Sequence, residues 1–338
     1  MKIGIVGCGL IGNRRAGVAQ RASDEVVLVA DIDPQRARET SAALKTDWTT
    51  EWREVAAHPG IDAVVVATTN NNLLPVTVAA LAGGKHVLCE KPLGRNSREA
   101  KEMLDAAKAA NKILKAGFNH RHHPAIWQAH ELAQAGKIGP LMSIRAAYGH
   151  GGRPGYDQEW RGNPELAGGG ELLDQGVHIV DLCRWFLGEF SQVSGMLGTW
   201  FWKVAPLEDN GFAFLRTAKG QIASLHTSWT QWKNLFRFEI FGLNGFLTVE
   251  GLGGSYGPEL LTMGLRRPES GAPLLESWEY PGPDISWEAE WREFTGAIRE
   301  NRPPVGEGYD GYQAALIIDS IYESSKTGRI VELSGKPS

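Results

Sequence analysis

Lys2-Ile3-Gly4-Ile5-Val6-Gly7-Cys8-Gly9-Leu10-Ile11-Gly12 decides the fold. A short apolar run, Lys2 to Val6, leads straight into G-x-G-x-x-G, and a helix-forming stretch follows. That strand-to-helix setting lifts the glycines above a chance match. Gly7 permits a tight turn, Gly9 lets backbone approach a pyrophosphate, and Gly12 lets the helix pack closely on the strand. The helix start at Leu10 and Ile11 offers N–H groups and partial positive charge to phosphates. A second apolar run, Glu25 to Ala30, ends in Asp31-Ile32. An acid there accepts the ribose hydroxyls of adenosine and repels a 2′-phosphate, which favours NAD over NADP. Arg14, Arg15, Arg36 and Arg38 lie near in sequence and weigh the other way.

Alternation continues outward. Asp33-Pro34 caps and opens a helix to about Leu44, and Thr50 to Ala57 predicts another. Ile61 to Thr68 is a nearly continuous apolar run, as a central parallel strand requires. It ends in Thr68-Thr69-Asn70. A helix over Leu74 to Ala82 returns the chain to His86–Cys89, a strand stopped by Glu90-Lys91-Pro92. Strand carboxyl ends open onto the ligand crevice of a doubly wound sheet, so these polar groups are delivered there. Ser97 to Ala110 and Lys112 to Phe118 add a helix and a strand. Residues 1–119 therefore read as a Rossmann dinucleotide-binding domain.

The bulk properties narrow the function classes. The chain has 338 residues, 42% hydrophobic and 22% charged, and a net charge of -4. It carries no basic run for nucleic acid or an anionic membrane. Cys8, Cys89 and Cys183 lack C-x-x-C spacing, so neither a disulfide framework nor a zinc site is expected. No signal peptide or membrane span is read, and a cytoplasmic setting is expected. Twelve tryptophans, several in polar company, suit a sugar ligand, although core packing is the commoner role of a tryptophan.

Residues 120–338 read as a second, α+β domain. Gly117-Phe-Asn-His-Arg-His-His-Pro124 places Asn119, Arg121 and His122 near the domain junction, and no carboxylate or cysteine beside the histidines suggests a metal. Gly149 to Gly170 holds eight glycines with Arg153, Tyr156, Trp160 and Arg161 among them, a loop long enough to shape a substrate site as a lid. Next, Leu172 to Leu187 has helical apolar spacing that sets Asp174 and His178 on one face. A carboxylate one turn from a histidine can tune it as a general base, or the two can be a surface or capping pair. Asp181 reads as a local cap or partner. Strands are expected at Leu141–Tyr148, Val193–Lys203, Gly211–Leu215, Ile222–Trp229, Phe236–Phe241 and Phe246–Glu250, with hairpin turns at Ala218-Lys219-Gly220 and Asn244-Gly245. Helices over Trp287–Arg299 and Tyr309–Lys326 and a short strand, Arg329–Leu333, finish the chain. The fold class is α/β plus α+β, the second domain built on a large, mostly antiparallel open sheet.

Gly7-x-Gly9-x-x-Gly12, Asp31, Ala67-Thr68-x-Asn70, Glu90-Lys91-Pro92, the Gly117–Pro124 segment and Gly168-Gly-Gly-x-x-x-Asp174-x-Gly176-x-His178 together resemble the Gfo/Idh/MocA oxidoreductases. The resemblance implies hydride transfer between a nicotinamide cofactor and a secondary hydroxyl or ketone of a sugar, cyclitol or sugar derivative. It implies Lys91, Asp174 and His178 as the catalytic set and a cis Lys91–Pro92 bond. It implies cofactor contacts from Gly7, Gly9, Leu10, Ile11, Gly12, Asp31, Ile32, Thr68, Thr69, Asn70, Glu90 and Lys91. Substrate contacts fall to Asn119, Arg121, His122, Arg153, Tyr156, Trp160 and Arg161. A homodimer or homotetramer through the C-terminal sheet is also implied. The chain departs at Leu73, where many members carry histidine. Relatives that retain NAD and recycle it during glycoside cleavage or aldose–ketose exchange suit the same residues. A non-catalytic dinucleotide-binding regulator is a further alternative, against which the intact Lys91, Asp174 and His178 count, and an enzyme acting on a non-sugar such as a linear diol or an imine is another.

Overall fold

The first sheet is assembled from β1 (Lys2–Val6), α1 (Leu10–Arg21), β2 (Glu25–Ala30), α2 (Pro34–Leu44), β3 (Asp47–Thr49), α3 (Trp52–Ala57), β4 (Ala63–Val66), α4 (Asn70–Ala82), β5 (His86–Cys89), α5 (Ser97–Ala110) and β6 (Leu114–Ala116) in the computed structural model, which describes residues 1–333. Its six strands run parallel in the order β3-β2-β1-β4-β5-β6. Val6 stands opposite both Ala30 and Val66, and Val66 opposite Cys89. That register brings Gly7, Asp31, Ala67 and Glu90, the residues that follow these strands, to one edge of the sheet. α4 starts at Asn70, ahead of the expected Leu74, and carries Pro75 inside it. Thr69, in extended backbone, occupies its N-cap position.

The second sheet follows α6 (Pro124–Gln134). It comprises β7 (Leu141–Gly149), then, after α7 (Pro164–Ala167), a π-helical turn over Leu172–Gly176 and α8 (Val177–Leu187), the strands β8 (Phe190–Gly198), β9 (Asn210–Thr217), β10 (Ile222–Ser228), β11 (Leu235–Gly242), β12 (Gly245–Glu250), β13 (Glu259–Leu265) and β14 (Leu274–Tyr280). α9 (Ser286–Glu300), α10 (Gly308–Thr327) and β15 (Val331–Glu332) end the described chain. The nine strands lie in the order β14-β13-β12-β11-β7-β10-β9-β8-β15. All pairings are antiparallel except β7 with β10.

Besides the early start of α4 and the short strand β3, which the sequence does not signal, three further features depart from the sequence expectation. β13 and β14 extend the sheet beyond Glu250. β8 stops at Gly198 rather than Lys203, because the buried Asp209 carboxylate accepts from the backbone N–H groups of Trp200 (2.9 Å), Phe201 (2.8 Å) and Trp202 (3.0 Å) and turns the chain away. The stretch leading to Asp174 is widened into a π turn instead of forming regular α-helix. Its start is tied to Glu208, whose carboxylate accepts from the N–H groups of Gly170 (3.2 Å) and Leu172 (2.9 Å) and from the Tyr322 hydroxyl (2.9 Å).

The chain divides into two compact units, one of Met1–Asn119, Glu165–Gly168 and Trp287–Ala315, the other of His120–Pro164, Gly169–Ser286 and Leu316 onward. Alternate residues of the parallel strands face opposite layers. Val6, Val64, Val66 and Val87 pack with Leu73, Leu81 and Met103, while Ile3, Ile5, Val29, Val65 and Leu88 pack with Trp287, Trp291 and Phe294. α9 thus completes one face of the Rossmann sheet from far along the chain. Apolar spacing shows that this helix has a buried side but not which sheet receives it.

Two measurements test this packing. Trp291 is fully buried, and Trp291→Ala should cost about 3–5 kcal/mol in denaturant unfolding; a change within experimental error would place α9 outside the core. For Glu208, burial pushes the carboxyl up to about 7 from an unfolded value near 4.5, against the bonds donated to it. The folded state therefore holds a proton that the unfolded chain has lost across that window, and the stability this provides disappears as pH rises through the folded value. Between about pH 5 and about pH 8 the wild type should lose roughly 2–3 kcal/mol relative to Glu208→Gln. A pH-independent difference between the two would contradict this.

Candidate active site

In the first unit the glycine turn forms a cradle with a specific shape. Gly7 has φ +97°, in the region that favours glycine, and a Cβ at Gly12 would lie 1.7 Å from the Gly7 carbonyl oxygen. Gly9 is different. A Cβ there would meet nothing within 4 Å, so protein packing does not demand glycine at that place. Space above a backbone at a helix amino terminus is where a phosphate approaches. Leu10 and Ile32 are 77% and 92% exposed, apolar flanks beside the turn and beside Asp31. The Asp31 carboxylate accepts from the N–H of Cys8 (2.7 Å) and of Asp33 (2.9 Å), which fixes it at the end of β2 next to the turn. Each carboxylate oxygen keeps lone-pair capacity for a ribose hydroxyl. These residues fit a dinucleotide.

The arginines that weighed toward a 2′-phosphate are largely engaged. Arg15 is fully buried on Glu90 and Glu290. Arg36 pairs with Asp33 at 3.4 Å, and the Arg38 guanidinium lies 4.8 Å from the centre of the Trp48 ring. Arg14 faces Trp287 at 5.0 Å.

At the ends of β4 and β5, the polar residues have definite tasks. Thr68 Oγ1 donates to the Thr69 carbonyl (3.1 Å), and Thr69 Oγ1 donates to Asn71 Oδ1 (2.7 Å). Asn70 is buried and donates to the Ala167 carbonyl (2.8 Å), and Arg95 donates to that of Glu165 (2.9 Å), so together they clasp the 165–168 segment. Leu73 is fully buried in the apolar layer, so this position supplies no polar crevice contact. The Lys91–Pro92 peptide is cis, and Lys91 is partly exposed. Glu90 is buried under it, its carboxylate gripped by Arg15. Asn119 is buried at the end of this unit.

In the second unit, His178 is 4% exposed and stacks on His120, ring centres 3.7 Å apart and planes 20° apart. Tyr148 meets His120 edge-on at 5.3 Å. Tyr256 lies against Tyr148 at 5.4 Å, and burial pushes its hydroxyl up to about 12. Asp174, in the π turn, accepts from Arg161 Nε at 3.0 Å. Asp174 in turn holds the Arg161 guanidinium above its ordinary value, against the opposing effect of burial. Arg161 lies over the Trp160 ring at 4.5 Å. π turns of this kind recur at functional sites.

Not every expected substrate residue faces open space. Arg121 is 3% exposed and makes paired bonds to Asp181 (2.7 and 2.6 Å), which corrects both its reading as a crevice arginine and that of Asp181 as a local cap. The pair joins residues 60 apart in sequence. His122 is buried and stacks near Trp127 at 5.9 Å. Tyr156 is likewise buried, its ring walled by His150, Trp202 and Trp229. Arg153 is exposed and pairs with Glu159 at 2.6 Å. Sequence reasoning missed His120, Tyr148 and Tyr256 around His178, and Arg95 at the 165–168 clasp. The three histidines within His120–His123 were the available signal for the first of these. Among the described residues no three His, Cys, Asp or Glu side chains are grouped to hold a metal ion.

Known proteins match this arrangement along its length. Residues 1–118 match the oxidoreductase family described as an NAD-binding Rossmann fold, and residues 126–248 match the GFO/IDH/MocA C-terminal domain. A levoglucosan dehydrogenase from Pseudarthrobacter phenanthrenivorans is 30% identical over 88% of this chain and 87% of its own. A 1,5-anhydro-D-fructose reductase from Ensifer adhaerens is 28% identical over 98% of both chains. Among solved structures, a levoglucosan dehydrogenase in complex with NADH and levoglucosan superposes with TM-score 0.89 at 26% identity, covering 99% of this chain and 100% of that one. The chain belongs to the Gfo/Idh/MocA family of NAD-binding oxidoreductases.

Proposed function

We propose that this chain, an NAD-dependent oxidoreductase of sugar-like substrates, interconverts a secondary hydroxyl and a ketone on a sugar, cyclitol or sugar derivative, with Lys91, Asp174 and His178 as the reacting set. The observation that carries the reading is the full-length likeness to dehydrogenases and reductases whose names state sugar-like substrates. The open space over Gly9 and the fixed Asp31 carboxylate support NAD as the cofactor. When bound, the nicotinamide ring takes up or supplies the hydride. His178 receives the hydroxyl proton on an imidazole nitrogen during oxidation and returns it during reduction. Lys91 donates a hydrogen bond to the same oxygen and stabilises negative charge as it develops. Asp174, held by Arg161, orients the imidazole or grips a neighbouring hydroxyl. A site in the cytoplasm suits a chain in which, among the described residues, no helix is long and apolar enough to cross a membrane.

Assembly through the second sheet is part of the proposal. Phe212, Phe214, Met196 and Ile222 stand exposed on β8–β10, while the alternating residues Ala213 and Leu215 are buried on the other face. Exposed apolar surface of that kind marks an interaction face, and a second copy of the chain is the occupant proposed here.

Three experiments test these readings. His178→Ala and Lys91→Met should lose turnover by about 10²–10⁴-fold while still binding NAD in a fluorescence titration; full activity in either would remove that residue from the reacting set. Mass spectrometry of nucleotide released on denaturation separates an exchangeable cofactor from a retained one. An empty protein that binds NAD reversibly supports a dehydrogenase, whereas stoichiometric NAD surviving dialysis points to internal redox recycling. Phe214→Glu should lower the mass in sedimentation, and a wild-type monomer would end the assembly proposal.

A further inference from the structure

Beneath the Glu90-Lys91 turn, four charged side chains are sealed in the first unit. Arg15, Lys115 and Glu290 have no exposed side-chain surface, and that of Glu90 is 10% exposed. Arg15 reaches Glu90 through Nε (2.7 Å) and Nη2 (2.6 Å), and reaches Glu290 through Nη1 (2.5 Å). Lys115 lies 3.4 Å from the other oxygen of Glu290 and donates to the Val305 carbonyl at 2.5 Å. Burial by itself would lower the Arg15 guanidinium, yet Glu290 and Glu90 hold it above its ordinary value. Burial raises the Glu90 carboxyl against the pull of Arg15.

A buried set of this kind is a poor device for stability, since well-packed apolar side chains of similar volume do as well or better. What distinguishes it is its anchoring. Arg15 stands on α1, the helix that begins at the glycine turn. Glu90 immediately precedes Lys91, Lys115 lies on β6, and Glu290 lies on α9. The backbone encloses the contact too. A Cβ at Gly117 would sit 3.0 Å from Glu90 Oε2 and 3.2 Å from Arg15 Nη2, although Gly117 has no positive φ to require glycine. Gly117 thus lies tight against this ion pair, with little room for a side chain.

We infer that Glu90, clamped by Arg15, which Glu290 holds from its other side, is a positioning residue that holds Lys91 in its reactive place and registers it to the helix of the dinucleotide cradle. The inference rests on the proposed role of Lys91. Glu90 touches no reacting atom in this scheme. It fixes the peptide from which the lysine side chain departs, and a displacement of about 1 Å at a reacting group costs on the order of 10²-fold.

The test is a double-mutant cycle on the full chain, with turnover of a sugar substrate and the dissociation constant for NAD measured for each protein. Glu90→Gln keeps the shape of the side chain and removes its charge. It should lower kcat by about 10–100-fold, with a smaller change in the NAD dissociation constant. In a Lys91→Met background the same change should cost nothing further, because a positioning residue has nothing left to position. Equal losses in both backgrounds, or an unchanged kcat for Glu90→Gln, would overturn the inference. Full activity of Lys91→Met alone would instead defeat the role of the lysine, and that outcome is read without Glu90. If Glu90→Gln fails to fold, Gly117→Ala replaces it in the cycle, since it crowds the ion pair by only tenths of an ångström, and the same pattern is required.

Discussion

Arg15 places a permanent charge inside the Rossmann unit, and the unit's far-flung segments are bound by the need to neutralise it. A guanidinium without solvent must keep its carboxylates, because removing one partner of such a pair costs about 3–5 kcal/mol. One carboxylate comes from the end of β5 and the other from α9, some two hundred residues later in the chain. The apolar layer between α9 and the sheet supplies the driving force for docking, with Trp291 and Phe294 fully buried. Apolar burial is non-directional and would tolerate a helix slid along its groove. The hydrogen bond that Arg15 donates to Glu290, with the Lys115 ion pair beside it, favours one register.

The second unit uses the same device at its turns. Asp209 collects three successive backbone N–H groups and ends a strand that its sequence would continue. Glu208 gathers the N–H groups of Gly170 and Leu172 and so sets where the helical stretch carrying Asp174 begins. Arg121 and Asp181 lock the segment after residue 119 to α8, the helix of His178. In each case a carboxylate satisfies donors that burial would otherwise leave costly. Gly168, Gly169 and Gly170 have no side chains to pack, so they take their conformation from these bonds and from the close approach at Gly170, where a Cβ would meet the Glu208 carbonyl oxygen at 2.0 Å.

Legibility in the sequence followed the range of the interactions. The glycine turn, Asp31 and the alternation through β1, β2, β4, β5 and β6 were readable because periodicity and turn chemistry are local, whereas the short, mostly exposed β3 was not. The strands of the second unit from β7 to β12 were readable for the same reason, whereas β13 was not. β14 was not, since Leu274 to Tyr280 is largely exposed and carries no alternating apolar face. The end of β8 was hidden because Asp209 acts from beyond the loop it terminates. Arg15 looked like a surface arginine beside a phosphate site, and only the partners at positions 90 and 290 reveal a core charge. Arg121 misled in the same way. His178 and Asp174 could be picked out by spacing, but the ring of His120 stacked on His178 could not, because stacking depends on how two distant segments pack.

Charge buried without apparent benefit to stability is more informative about function than charge at the surface. An apolar replacement for Arg15, Glu90, Glu290 and Lys115 would satisfy the core as well, and it would remove the directional bonds that tie α1 to the turn before Lys91. The glycine turn admits a dinucleotide at one end of α1 through the space above Gly9, while Arg15, in the second turn of the same helix, grips the residue preceding Lys91. A rigid helix thus carries both references, the cradle and the lysine. For chemistry in which a hydrogen-bond donor must meet a substrate oxygen beside the cofactor, that shared reference is worth more than an equal number of apolar contacts, because those contacts would hold the helix without setting its register.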